Sequence, residues 1–360
     1  MKKFKKILTI ILISSFFINI IENTAVASAE TLDQSLDSML ITEDNYETKM
    51  REVVEPYIES VKETGYMDLQ GQDFSIYYEK YILPNSKASI VISHGYTESL
   101  EKYHEIIYYF LKSGYSVYGL EHRGHGRSGH IGKIDSTQIN IENFEEYVSD
   151  FKQFLDEEVK TDIGNEKLFL FAHSMGGAIG VDFLEQYPEY FDCVVLSAPM
   201  LQVNTGKIPE WIAKLIAYLK VVFSFGDEYI LGGSAYNPDY NFEAAATACE
   251  ERYNYYYNIV NDNEEIQRGD GSYKWLKSAL DVTKKITSKE EASKVKVPVL
   301  LFKAGKDNYV KENGLNMFSQ YAEDCKMIFF SEAKHEMYKE EDSILQPYMK
   351  RIFEFFDENL

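Results

Sequence analysis

The chain predicts an α/β fold on a mostly parallel central sheet with helices on both faces, and three observations carry that prediction. Short apolar runs, each closing on a glycine or a polar turn, recur along the 360 residues. Stretches with helical spacing separate them, the strand–helix–strand rhythm of a sheet covered on both sides. One long segment rich in aromatic residues, 201–296, interrupts the rhythm without a buried strand of its own.

Taken in order, the chain opens with "MKKFKK", a basic start, then "ILTIILISSFFINII", an apolar run too short to span a bilayer comfortably with its flanks. "AVASAE" offers Ala27 and Ala29 around Ser28 as a cleavage site. Residues 1–29 therefore read as a signal peptide, and the mature protein is expected outside the cell, secreted or at its surface. A lead-in follows over 30–63, in which "NYETKMREVVEPYIESVKETG" has helical spacing kinked at Pro56. "YMDLQGQDFSIYYEKYILPN" alternates apolar and polar residues about a Gly-containing turn, a hairpin at one sheet edge. The core then runs from 64 to 200 and resumes from 297 to 360. Its strands are "ASIVISHG", "YSVYGLEHRG", "KLFLFAHS", "DCVVLSAPM", "VPVLLFKAG" and "CKMIFFSEA", each expected to be buried. The segment between, 201–296, reads as a helical cap over the sheet, where ligand chemistry in such folds gathers at the carboxyl ends of the strands.

Composition narrows the function classes. The net charge is −21, and the signal peptide carries four lysines against one glutamate, so the mature chain is more acidic still. That balance argues against nucleic acid and against tight adsorption to anionic membrane. Cys193, Cys249 and Cys325 are far apart and allow at most one bridge, which excludes a disulfide scaffold. Cys193 lies in an apolar strand and reads as a small core residue. No spacing suggests a metal site, and no cofactor is expected.

The chemistry concentrates in "LFLFAHSMGG", a strand that passes at once into a helix with Ser174 at the junction. A nucleophile elbow needs small residues beside its serine because the turn is tight. Ala172 takes the first glycine position; Gly176 and Gly177 keep the helix side clear. A serine hydroxyl also needs a base and a carboxylate to orient that base. "VPVLLFKAGKDNYV" places Asp307 after one strand and "MIFFSEAKHEMYKE" places His335 after the next, in the order Ser, Asp, His. Of the seven histidines, His173 is expected to pack beside the site and His104 falls on a helix. His122, His125 and His130 in "EHRGHGRSGH" fit a hydrogen-bonded loop better than a metal cluster. His94 precedes Gly95 and Tyr96, and the backbone N–H groups of Tyr96 and Met175 are the expected oxyanion-hole donors.

Together "HGYTESLEKY", "RGHGRSG", "HSMGG", "AGKDNYV" and "KHEMYKE" resemble the serine hydrolases of the α/β-hydrolase superfamily, and within it the bacterial lysophospholipases and monoacylglycerol lipases. The resemblance extends from about Gly65 to the C-terminus, the cap stretch "ERYNYYYNIVNDNEEIQRGDGSYKWL" included. It departs from the family at Glu121, where Asp is usual, and at Ala172, where Gly is usual. It implies an α/β-hydrolase fold and hydrolysis of a single-chain acyl ester through an acyl-enzyme on Ser174. A lipid ester is the implied substrate, with transient contact of the cap with a membrane or micelle surface. A monoacylglycerol lipase or general carboxylesterase is the near alternative. An aminopeptidase of the same clan would need cap carboxylates to hold a free amino terminus, for which Glu210, Glu250 and Glu251 are available. A binding protein that kept the fold without the chemistry is the third. Headgroup, chain length and oligomeric state are left open.

Overall fold

The structure, a computed structural model, describes residues 39–360, of which Thr42–Leu360 form one compact unit. The expected signal peptide lies outside the described residues. From 46 to 59 the lead-in is helical, with a wider turn at Met50–Val54 just before Pro56. Proline has no N–H to donate back along the helix, so the ladder loosens there. Tyr46, Met50, Val54 and Ile58 are its buried stripe, one every four residues.

β1 (Lys62–Asp68) and β2 (Ser75–Tyr81) form the expected edge hairpin. β3 (Ser89–Ser93), β4 (Ser116–Leu120), β5 (Leu168–His173), β6 (Cys193–Ser197), β7 (Val299–Ala304) and β8 (Cys325–Phe330) follow. One sheet results, in the order β1-β2-β4-β3-β5-β6-β7-β8, and every pair from β4 to β8 is parallel. The connecting helices are α1 (His104–Lys112), α2 (Glu145–Phe154), α3 (Met175–Gln186), α4 (Glu210–Val222), α5 (Glu250–Asp262), α6 (Tyr273–Ile286), α7 (Glu312–Tyr321) and α8 (Asp342–Glu358).

Strand β5 shows how the two faces are filled. Its odd positions point one way: Phe169 stacks on Phe356 of α8, Phe171 meets Phe110 of α1, and His173 meets His335. Leu168, Leu170 and Ala172 point the other way, into a cluster with Phe151 of α2 and Phe183 of α3. Every residue of β5 is buried, so period-two alternation here sorts one apolar face from another. Each fully buried aromatic of this kind contributes about 1.5–3 kcal/mol.

The last strand departs from its expected burial. β8 pairs with β7 alone, and Phe329 is 56% exposed with Met327 also at the surface. An apolar run cannot by itself reveal that a strand lies at an edge. All three cysteines are free thiols, and Cys193 is buried as expected.

A buried cation of the cap, Arg252, ties it to the core. Arg252 of α5 donates from Nη2 to Glu105 of α1 at 3.0 Å, and from Nη1 to the Glu340 carbonyl and the Asp342 carboxylate at 3.0 and 3.2 Å. Its guanidinium also covers the Tyr46 ring. Arg252→Met leaves Glu105 buried without its cation, and the expected loss is about 3–5 kcal/mol. A drop in urea midpoint at unchanged slope is the measurement.

Candidate active site

The corner between β5 and α3 determines the site. Ser174 sits at φ 50° and ψ −118°, a conformation that L-residues rarely adopt. Backbone bonds on every side hold it: the Ser174 N–H donates to the Ser197 carbonyl at 3.1 Å, and its carbonyl accepts from Gly177 and Met200 at 2.9 and 2.8 Å. A Cβ on Gly176 would lie 2.1 Å from the Ser93 carbonyl, so glycine is required for α3 to reach the sheet. A Cβ built on Gly180 would lie 2.9 Å from Leu170 Cδ2 and at an ordinary contact distance of 3.6 Å from the Ala172 methyl, so the glycine is needed for Leu170 and the extra methyl of Ala172 is accommodated.

Loops at the carboxyl ends of β7 and β8 bring the other two side chains to this corner. Asp307 Oδ1 accepts from the Tyr309 and Val310 N–H groups at 2.7 and 3.1 Å, which fixes the carboxylate. Its Oδ2 accepts from His335 Nδ1 at 2.7 Å. With the Nδ1 proton so engaged, Nε2 is left as an acceptor, and the Ser174 hydroxyl donates to it at 2.8 Å. Burial alone would raise the Asp307 carboxyl, but the hydrogen bond and charge of His335 hold it below the usual range. Ser174 and His335 are buried, and Tyr309 and His173 lie against the imidazole at ring distances of 5.0 and 4.8 Å. An oriented base thus bears on a strained hydroxyl, which is what nucleophilic attack requires.

The loop after β3 carries Tyr96 between Gly95 and Thr97, the latter at φ 60°. Met175 is the first residue of α3. Among the described residues neither the Tyr96 nor the Met175 N–H has a protein acceptor, as donors kept for a substrate oxygen must be. The Tyr96 ring packs on Trp275 of α6 at 4.2 Å, so the cap reaches this loop.

Behind the loop stands a group that the sequence reading did not single out. Glu98 accepts from the Gly95 N–H at 2.6 Å, from Lys102 at 2.8 Å, and from the Tyr103 and Tyr338 hydroxyls at 2.5 and 3.0 Å. Lys102 also reaches Glu336, next to His335, at 2.6 Å. Burial opposes the Glu98 charge, yet Lys102 and these donors keep its carboxyl well below the usual range. One buried carboxylate therefore joins the loop after β3 to the loop after β8. Glu98 and Lys102 both lie within "HGYTESLEKY", but only the fold shows what they bind.

The remaining histidines are structural. His94 Nδ1 donates to the Gly95 carbonyl at 2.7 Å and Nε2 accepts from the His122 N–H at 2.9 Å, while burial pushes its pKa down to about 4. His122 contacts Ser93 Oγ, and His125 the Arg123 carbonyl, both at 3.0 Å; burial holds both neutral. His104 pairs with Glu55 and His130 with the Ser136 carbonyl. Glu121 anchors the same region by accepting from the Leu100 N–H and the Arg127 guanidinium at 3.1 and 2.8 Å.

Glu98 has a pH signature. A carboxyl held below its ordinary value of 4.5 contributes stability that is fully present above that value and is lost as the pH falls through its folded value. Glu98→Gln is expected to cost about 3 kcal/mol at pH 7 and to flatten the acid limb of the stability curve below about pH 4.5. Chemical denaturation from pH 3 to 8 checks both.

Comparison with known proteins agrees with this fold. A family model described as "Serine aminopeptidase, S33" matches residues 84–342. A probable lysophospholipase L2 from Haemophilus influenzae is 25% identical over 288 residues, covering 79% of this chain and 90% of its own. A monoacylglycerol lipase from Mycolicibacterium smegmatis is 34% identical over 124 residues, covering 34% of this chain and 42% of its own. The crystal structure of a soluble variant of monoglyceride lipase from Saccharomyces cerevisiae, in complex with a substrate analog, superposes with a TM-score of 0.66 at 16% identity. It covers 83% of this chain and 96% of the lipase. The chain belongs to the α/β-hydrolase family that this serine aminopeptidase S33 model describes.

Proposed function

We propose that this chain is an exported esterase that removes the acyl chain from a single-chain lipid, a lysophospholipid first, through an acyl-enzyme on Ser174. The observation that carries the reading is the unbroken hydrogen-bond chain from Asp307 through His335 to Ser174. In it, Ser174 Oγ attacks the ester carbonyl carbon as His335 Nε2 takes the hydroxyl proton. The carbonyl oxygen, now negative, accepts from the Tyr96 and Met175 N–H groups. His335 returns the proton to the departing glycerol oxygen, and the acyl group stays on Ser174. Water, deprotonated by His335, then releases the fatty acid. Asp307 orients the imidazole and balances its charge throughout. The lysophospholipase and monoacylglycerol lipase names of the relatives support an acyl ester as substrate.

The peptide reading suggested by the family's description has less support. Glu210 accepts from Gln202, Glu250 from Tyr240 and Glu251 from Cys249. None of the three lines the cavity beside His335, whose wall carries Lys102, Arg268 and Lys339. The three basic groups outnumber the two carboxylates of that wall, Asp239 and Glu336, and Glu336 is already paired with Lys102.

A lipid substrate must also be reached. On α4, Trp211, Leu215, Tyr218, Leu219 and Val222 follow helical spacing and are all exposed, while Ala213 and Ala217 face inward. Phe223 and Phe225 extend the apolar strip. An outward apolar stripe suits shallow insertion into a lipid surface. Among the described residues no helix is long and apolar enough to cross a membrane.

Ser174→Ala is expected to abolish labelling by a fluorophosphonate and to lower kcat at least about 10⁴-fold, with Asp307→Asn close behind. Full turnover by either variant on lysophosphatidylcholine would remove the mechanism. Cleavage of proline-amide peptides but not lipids by the native enzyme would move the assignment to the peptidase. Replacing Leu219 and Phe223 together by serine should weaken flotation with phosphatidylcholine vesicles about tenfold or more.

A further inference from the structure

A buried cation with no counter-ion lies beside the proposed catalytic group. The cavity next to His335, about 340 Å³, is walled by Thr97 of the oxyanion loop, Tyr309, cap tyrosines and three basic side chains. Lys102 is bound on two sides by Glu98 and Glu336. Lys339 is different. It is only 4% exposed, and no carboxylate lies within ion-pair distance of its ammonium among the described residues. The acidic groups that act on it from nearby are already committed, Glu105 to Arg252 at 3.0 Å and Glu336 to Lys102 at 2.6 Å. Its ammonium has only the face of Tyr256, at 5.6 Å.

Arg268 forms another part of the wall. Its guanidinium donates to the Gly124, Gly126 and Gln267 carbonyls and to no carboxylate. These neutral acceptors satisfy its N–H groups, and the carboxylate that acts on it from nearby, Glu121, is itself engaged by the Leu100 N–H and the Arg127 guanidinium. Burying an ammonium without a paired anion is unfavourable unless a ligand supplies the negative charge. Burial shows in both groups: Lys339 is pushed down to about 8 and Arg268 down to about 10, so both remain cationic at neutral pH.

We propose that Lys339, with Arg268 behind it, binds the phosphate of the substrate's headgroup, so that this cavity selects lysophospholipids over neutral monoacylglycerols. The inference rests on the ester-hydrolase reading above and adds the headgroup to it. The fatty-acid ester and the phosphate of a lysophospholipid lie on the same short glycerol unit. Such a substrate needs a phosphate site close to the nucleophile, and Tyr309 in the wall of this cavity packs on the His335 ring at 5.0 Å. Asp239, an exposed carboxylate in the same wall with Tyr253 and Tyr257, suits the ammonium end of a zwitterionic headgroup.

The test compares lysophosphatidylcholine with a monoacylglycerol of the same chain, in the same mixed micelles, on the native enzyme, Lys339→Met and Lys339→Arg. The ratio of the two kcat/KM values should fall about 10- to 100-fold in Lys339→Met, mainly through KM, and recover in part in Lys339→Arg. An unchanged ratio overturns the proposal. Calorimetric titration with glycerophosphocholine and with inorganic phosphate separates a headgroup site from a general phosphate site. Glycerophosphocholine should bind the native protein and not Lys339→Met; no binding to the native protein also overturns the proposal, whether or not the variant folds. Inorganic phosphate binding as tightly would keep the anion site and remove its selectivity for a headgroup. If the native enzyme cleaves neither lipid, the functional reading fails, and the titration still decides the anion site.

Discussion

The backbone of Ser174 is the constraint on which the site depends. A serine at φ 50° sits where its Cβ crowds the main chain, at a cost of order 1–3 kcal/mol, and nothing in the residue itself offsets that. The offset is collective. Ser197 on β6 and Met200 beyond it hold the Ser174 peptide from one side, while Gly177 closes the first turn of α3 from the other. Gly176 brings that helix against the Ser93 and His94 carbonyls, closer than any side chain would allow. The strain is thus distributed over three adjacent strands, and the hydroxyl emerges at the one height where the loops after β7 and β8 can meet it.

Those loops are long-range partners, and the structure fixes their separation with buried charges rather than with apolar packing alone. Glu98, Lys102 and Glu336 form a carboxylate–ammonium–carboxylate row that runs from the loop after β3 to the residue beside His335. Arg252 does the same between α5, α1 and the start of α8. Ion pairs of this kind add little net stability when compared with apolar packing of equal volume. Their geometry is directional, however, and a shift of either partner strands a charge. Such pairs suit a site whose loops must keep hydrogen-bond distances, because displacement is penalised more steeply than in an apolar contact.

The sequence revealed what is local and concealed what is not. The parallel strands were readable because each is a continuous apolar run, and the serine corner because strand, small residues and helix adjoin in ten residues. Asp307 and His335 were readable because each follows its own strand in a fixed order. Ala172 shows the limit of a motif: its methyl is fully buried and still leaves room for a Cβ on Gly180 at an ordinary 3.6 Å, so the corner tolerates the departure. Glu98 and Glu336 are 238 residues apart and share one lysine, and Arg252 finds Glu105 at a separation of 147; no periodicity encodes such pairs. The exposure of β8 was hidden for a similar reason, since an apolar strand reads alike at the centre of a sheet and at its edge.

The charge of the whole molecule and the charge of the cavity point in opposite directions, and that contrast bears on how substrate arrives. A net charge of −21 repels anions at a distance, while Lys339 and Arg268 favour them within the wall. At physiological salt the repulsion is screened beyond about 8 Å, so neither field steers a lipid from solution. A buried cation acts only on a group already beside it. Under the proposed function, delivery would fall to the apolar stripe of α4, which carries no charge to oppose at a neutral surface, and headgroup selection would follow at short range. On that proposal, separating the two steps would let an acidic protein use a phosphate-bearing ligand without long-range attraction, with discrimination a property of the cavity rather than of the encounter.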